Sequence, residues 1–185
     1  MRVTILGCLT GLALGIAISP AEAAWHGYVS SEAGFSFIAP GDVKTEKATY
    51  RSAIAGQHAA TVFRSVEDNV EFKVTVVDFA GRASDDAAII KEAATVFEAN
   101  SKVLADADAR IESSYGRKMT VDLPNNGGRS MAAVFFSMGH LIHLQVTVLP
   151  ANGDYLSPDL GRFVDSLAFG AGREEADATE LKLAK

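Results

Sequence analysis

Val70-Glu71-Phe72-Lys73-Val74-Thr75-Val76 is followed a few residues later by Ser84-Asp85-Asp86-Ala87-Ala88-Ile89-Ile90. The change of period between these two stretches decides the fold. In the first, Val70, Phe72, Val74 and Val76 share one face of an extended chain, and Glu71, Lys73 and Thr75 share the other. Successive side chains of a strand point to opposite sides, so this is a strand with one buried face. In the second, small and apolar residues recur every three or four positions. Ile90, Ala94, Phe97, Ser101 and Leu104 form one line, and Ile89, Ala93, Val96 and Val103 widen it. Ser84 is a good N-cap, and Asp85 and Asp86 sit where the helix dipole favours negative charge. The spacing predicts one amphipathic helix over 85–104 that buries one side.

Outward from this pair, the rhythm of two dominates. Phe35-Ser36-Phe37-Ile38 is a short strand ended by Pro40-Gly41, and 42–57 reads as a polar loop with one weak strand near 48–54. Residues 58–66 are a further strand, and Val66-Glu67-Asp68-Asn69 closes a hairpin into the strand from Val70. Beyond the helix, 118–123 is a strand with Met119, Val121 and Leu123 on one face. The cluster Pro124-Asn125-Asn126-Gly127-Gly128 is a turn, because Asn and Gly tolerate positive φ cheaply. Residues 129–137 return as a strand, Gly139-His140 turns again, and 141–149 follows with Ile142, Leu144, Val146 and Val148 on one face. His143, Gln145 and Thr147 line the other. Ser157-Pro158 opens a short helix carrying Leu160, Phe163, Val164 and Leu167 at i, i+3, i+4 and i+7. Strands joined by tight turns pair antiparallel, so the fold class is α+β: an antiparallel sheet with helices packed on it.

The N-terminus carries an address. Arg2 precedes an apolar run over 3–18, Ser19-Pro20 breaks it, and Ala21-Glu22-Ala23 offers the small-x-small pattern of a cleavage site. The expectation is an export signal over 1–23 cut between Ala23 and Ala24, a single domain over 24–169, and a flexible charged tail over 170–185. The leader run is short for a bilayer, which needs about 20 apolar residues, so no stable span is expected after cleavage. Ile5-Leu6-Gly7-Cys8 looks like a lipobox, but only 3–6 would remain as apolar run before it. Cys8, the single cysteine, is therefore an ordinary leader residue, and the domain holds no disulfide. The net charge of −6 argues against nucleic-acid or anionic-membrane binding, both of which need a cationic footprint. Periplasmic or secreted localisation is expected.

No reactive constellation emerges from spacing. His140 and His143 lie three apart on a strand and point to opposite faces, so they cannot share an ion, and His26 and His58 are isolated in sequence. Asp106-Ala107-Asp108 begins like a calcium loop, but Arg110 and Ile111 occupy positions where ligands are needed. The Asn125–Gly128 cluster reads as a plain turn rather than an anion cradle, and no nucleophile elbow, phosphate loop or dinucleotide fingerprint is present. No catalytic residue, metal or cofactor is expected. The residues that could mark a partner surface are Trp25 and Tyr28 at the new N-terminus, Arg117, Lys118 and Arg129 flanking the 124–128 turn, and His143.

Several short motifs carry a resemblance. Gly34-Phe35-Ser36-Phe37-Ile38-Ala39-Pro40 opens the domain, and the strand from Val70 leads to a helix. A hairpin ends at Gly139 before the strand from Leu141, and Phe163-Val164-Asp165-Ser166-Leu167-Ala168-Phe169 closes the domain. Over about 28–169 this resembles the Mog1/PsbP-like family, including the bacterial periplasmic DcrB-like proteins. The resemblance implies an α/β/α sandwich with a central antiparallel β-sheet, one long helix and a short C-terminal helix. It also implies a non-enzymatic role, since relatives serve as a cofactor of a small GTPase or as an extrinsic subunit of a photosynthetic complex. One departure is His143, where relatives often show an aromatic ring. Fold does not transfer function. The expected function is that of an exported, monomeric binding or adaptor module that docks an envelope protein. The alternatives are a small-molecule or lipid carrier with a pocket under the long helix, and a hydrolase in which His58, His140 or His143 meets a carboxylate and a nucleophile.

Overall fold

The computed structural model describes residues 24–79, 85–170 and 177–184. β1 (Trp25–Ser30) and β2 (Phe35–Pro40) form an antiparallel hairpin. β3 (Lys44–Ser52), β4 (Gly56–Glu67) and β5 (Val70–Asp78) follow as a meander. After α1 (Asp86–Glu98), a second meander runs through β6 (Lys102–Ile111), β7 (Ser114–Asp122), β8 (Arg129–Ser137) and β9 (His140–Val148). The described chain ends with α2 (Pro158–Val164), β10 (Ala168–Phe169) and β11 (Thr179–Glu180). Pairing of β9 with β5 joins the meanders into one antiparallel sheet, ordered β3-β4-β5-β9-β8-β7-β6. A smaller sheet is ordered β10-β2-β1-β11.

Turn chemistry sets the connections. Asp68 and Asn69 take φ of 46° and 58° between β4 and β5, and Met138 and Gly139 take 50° and 79° between β8 and β9. The 124–128 turn holds one turn of 3₁₀ helix and then Gly128 at φ 97°. A Cβ on Gly128 would stand 2.0 Å from the carbonyl oxygen of Val148, so no other residue fits between β8 and the end of β9.

The two faces of the large sheet bury different partners. On one, Phe63, Phe72, Val74, Phe135, Ile142 and Leu144 pack against Phe35 and Phe37 of the small sheet and Leu160 and Phe163 of α2. On the other, Ile89, Ile90, Ala93 and Ala94 of α1 cover Ala60, Val77, Met119, Ala132, Val134 and Leu141. The layers are helix, central sheet, and helix with the small sheet. This is the α+β fold expected from the residue pattern, in the α/β/α arrangement that the family resemblance implies.

Four details differ from the expectation. α1 ends at Glu98 rather than 104, because Asn100 adopts φ 62° and the Ser101 N–H turns back to the Glu98 carbonyl. Residues 102–111 then form β6, an edge strand in which Val103 and Leu104 are exposed. The alternation of alanine with Asp106 and Asp108 was its signal, muted because Ala and Asp are poor strand formers. The cap of α1 is Asp85, whose carboxylate accepts from the Ala88 N–H, and Ser84 lies outside the described residues. β3 is longer than the weak strand expected near 48–54, and Ile54 falls in the turn after it.

The fourth difference is the tail. Within 177–184, Thr179 and Glu180 pair in parallel with Tyr28 and Val29, the Leu181 N–H donates to the Val29 carbonyl at 2.7 Å, and the Ala184 N–H donates to Thr61 Oγ at 2.9 Å. The expected flexible tail is therefore docked over this stretch. Leu181 is 6% exposed and joins the main core. Leu181→Ala is expected to cost about 2 kcal/mol in urea unfolding, at the lower end for a buried leucine because the site lies at the rim of the core. A variant as stable as the parent would show that the segment does not dock. The leader over 1–23 lies outside the described residues, and among those described no helix is long and apolar enough to cross a membrane.

Candidate functional site

The residues singled out from sequence do not assemble into one surface. Trp25 is half-buried, edge-on to Phe72 at 5.7 Å, and the Arg162 guanidinium lies 4.2 Å over its ring. Tyr28 is corrected from surface to core. It is 4% exposed, stacks on Phe37 at 5.4 Å, and its hydroxyl donates to the Gly41 carbonyl at 2.6 Å. Its β1 position faces inward, so its phenol pKa is raised, first by burial.

The three cations also separate. Arg117 and Lys118 are neighbours on a strand, so they point to opposite faces. Arg117 grips Asp106 of β6 through Nε at 2.9 Å and a second nitrogen, with Asp108 at 3.8 Å. Lys118 pairs on the other face with Asp165, just past α2. Arg129 bonds Asp122 at 2.8 Å and lies 5.3 Å over the Tyr155 ring. Each charge is matched by a carboxylate from an adjacent element, so the three do not join into one partner surface. Glu98 of α1 leans on the Asp106–Arg117 pair, and burial followed by Asp106 holds its carboxyl above its ordinary range.

The histidines are spent separately as well. His58 places its ring nitrogens 3.0 Å from the Asp78 carbonyl and 3.2 Å from the Ala55 carbonyl, fastening the β3–β4 turn to the end of β5. His143 lies on the α1 face with the Phe97 ring edge-on at 5.7 Å. Its Nε2 is buried without a hydrogen-bond partner. Burial, then the Lys73 ammonium, presses its pKa down to about 3. His140 sits three strand positions away in an unbroken register, on the opposite face. Among the described residues, no group of three or more His, Cys, Asp or Glu is placed to hold a metal ion. Among the described residues, His58 and His143 are not joined with a carboxylate and a nucleophile in one cleft, as a hydrolase reading required. The pocket that a carrier reading required is filled by Ile89, Ile90, Ala93 and Ala94 against the sheet.

What the fold does open is a cleft of about 650 Å³ at the N-terminal end of α1. Ile90 and Lys91 of α1, Tyr115 and Arg117 of β7, Phe136 of β8 and Met138 of the β8–β9 turn line it. Tyr115 is 67% exposed and Met138 70%, and Arg110 packs 5.1 Å over the Tyr115 ring. Gly116 beside Tyr115 lets β7 and β8 approach closely, since a Cβ there would stand 2.3 Å from the Val134 carbonyl oxygen. Arg117, held from the β6 side, is the one residue in this cleft among those named from sequence as a possible partner surface. Tyr115 and Met138 were missed. Their signal was local: a large apolar side chain in or beside a turn, where polar residues are the rule.

A scan against protein-family models finds no match, and a search of curated proteins finds none. Among solved structures, the chain is similar to cyanobacterial PsbP from Synechocystis sp. PCC 6803. The TM-score is 0.55 and the identity 13%, over 86% of this chain and 98% of that one. At that identity the likeness shows the fold, which is PsbP-like. A protein of unknown function from Pseudomonas aeruginosa overlays at TM-score 0.33 and 14% identity, over 69% of this chain and 85% of that one, too slight a likeness to carry an argument.

Proposed function

We propose that this protein is an exported, non-catalytic binding domain that docks a protein of the cell envelope through the cleft at the N-terminal end of α1. One observation carries the reading: Tyr115 and Met138 stand exposed on two hairpins around a fixed Arg117, above Ile90 and Phe136. Aromatic, methionine and arginine side chains are enriched at interface cores, and a rigid aromatic beside an adaptable thioether suits an anchor. Support also comes from the leader-like 1–23 segment and from histidines committed to packing and to backbone carbonyls.

The test uses residues 24–185 as bait on solubilised envelope, with the captured protein then purified and its affinity measured. Changing both Tyr115→Ala and Met138→Ala is expected to weaken that affinity more than tenfold, as removal of interface anchors does. Both side chains are solvent-exposed, so the melting temperature should hardly move. Undiminished binding by the double variant, or no partner at all, would refute the reading.

A further inference from the structure

Beyond the cleft, we infer that the flank of the large sheet left uncovered by α1 is a second docking surface, which takes an acidic segment of a partner protein. The register places Lys44 directly opposite Arg64, Arg64 opposite Lys73, and Lys73 opposite Gln145. Alternation puts these side chains on the α1 face, since Arg64 shares its side with Ala60 and Lys73 shares its side with Val77. Like charges directly opposite on adjacent strands destabilise a sheet, yet a chain of net charge −6 sets three of them in one row.

Compensation along the row is partial. Glu71 pairs with Arg64 at 2.8 Å, and Glu46 stands on the same face beside Val62. Lys44 and Lys73 make no ion pair among the described residues. Burial lowers the pKa of the Lys73 ammonium, with Arg64 adding to the effect and Glu71 opposing it. A partly desolvated cation without its own carboxylate gains most from an incoming one.

The helix layer leaves room for this. α1 sits over β7 and β8, Phe97 reaches His143 on β9, and the helix also covers Ala60 of β4 and Val77 of β5 and accepts the Ser52 hydroxyl of β3 through Glu92. The row lies four residues further along β4 and β5 from Ala60 and Val77, where Lys44, Arg64 and Val66 are exposed. Strands are spaced by about 4.8 Å, so the three cations span roughly 10 Å, the length of about three residues of extended chain. Val66, 60% exposed on the same face of β4, offers an apolar contact at the rim. A bilayer surface is a poorer fit, because Lys73 is half-buried among its strand neighbours and a single side chain reaches it where a flat surface does not.

The experiment titrates residues 24–185 into a fluorescein-labelled decapeptide of alternating glutamate and alanine, followed by anisotropy. Saturable binding is expected, weakened at least tenfold by Lys44→Glu combined with Lys73→Gln and at least fivefold by 0.5 M sodium chloride, and lost when glutamine replaces glutamate. Lys44→Glu alone, on an exposed side chain, is expected to weaken binding measurably and guards against misfolding of the double variant. Tyr115→Ala should leave peptide binding intact, which separates this surface from the cleft. Equal binding by Lys44→Glu and parent, equal binding of the glutamine peptide, or binding to phosphatidylglycerol vesicles without peptide binding would overturn the inference.

Discussion

His143→Phe is expected to make this protein markedly less sensitive to acid. The imidazole has an ordinary pKa of 6.5, and in the fold burial and the Lys73 ammonium lower it to about 3. The groups facing it are Lys73 and Thr75 from β5, Val134 from β8 and Phe97 from α1, and among the described residues the charge acting on it is that of Lys73, not a carboxylate. Between about pH 3 and 6.5 the unfolded chain therefore binds a proton that the folded chain refuses. Stability falls as pH drops through that window, by up to about 1.4 kcal/mol per pH unit from this residue, and is fully present above it. Near pH 4.5 the loss amounts to roughly 2.5 kcal/mol relative to neutrality. Phenylalanine cannot titrate, keeps an edge contact with Phe97, and removes the buried Nε2 that lacks a partner. Carboxylates elsewhere titrate in both proteins, so the difference between two urea-derived stability curves isolates this site. Curves that run parallel from pH 7 to 4 would refute the assignment.

Phe163→Ala is expected to cost about 3–5 kcal/mol, a large share of the roughly 5–15 kcal/mol that holds a domain of this size. The ring is fully buried in α2 and meets Phe37 of β2 at 6.1 Å and Phe72 of β5 at 5.3 Å, both edge-on. It thus ties the helix to both sheets, and Trp25 extends the chain of rings from Phe72. Edge-to-face pairs add about 0.5–1.5 kcal/mol beyond area burial, so the truncation loses packing and two ring contacts together. Leu156→Ala, at a side chain 87% exposed, serves as the control and should stay within about 0.5 kcal/mol of the parent. A cost below about 1 kcal/mol for Phe163→Ala would mean that the sheets are not joined through this ring.

The two expectations differ in how legible their residues were. Phe163 stood in an i, i+3, i+4, i+7 series after a Ser-Pro start, so its burial followed from local period alone. His143 was placed on the polar side of its strand correctly, but the ring of Phe97 above it comes from another element, and its depressed pKa depends on that cover. Tyr28 shows the opposite failure. A tyrosine near a chain start offered itself either as a partner contact or as packing over a sheet edge, and pairing of β1 with β2 turned it into the core.

From the sequence alone came the strand rhythm around Val70–Val76, turns within 66–69 and 124–128 and one at Gly139 (though His140, expected in that turn, opens β9), both helix starts to within a residue or two, and thereby the layered α+β fold. These rest on side-chain alternation and backbone preference, which act over a few residues and leave their mark in the local order. Only the tertiary structure decided the rest: that Asp106, Asp165 and Asp122 would neutralise Arg117, Lys118 and Arg129, that 177–184 would dock on β1, and that Tyr115 and Met138 would rim a cleft. Charges pair and clefts open according to which distant elements the sheet order brings together. That order is set by the summed burial of many side chains, and no short stretch of residues records it.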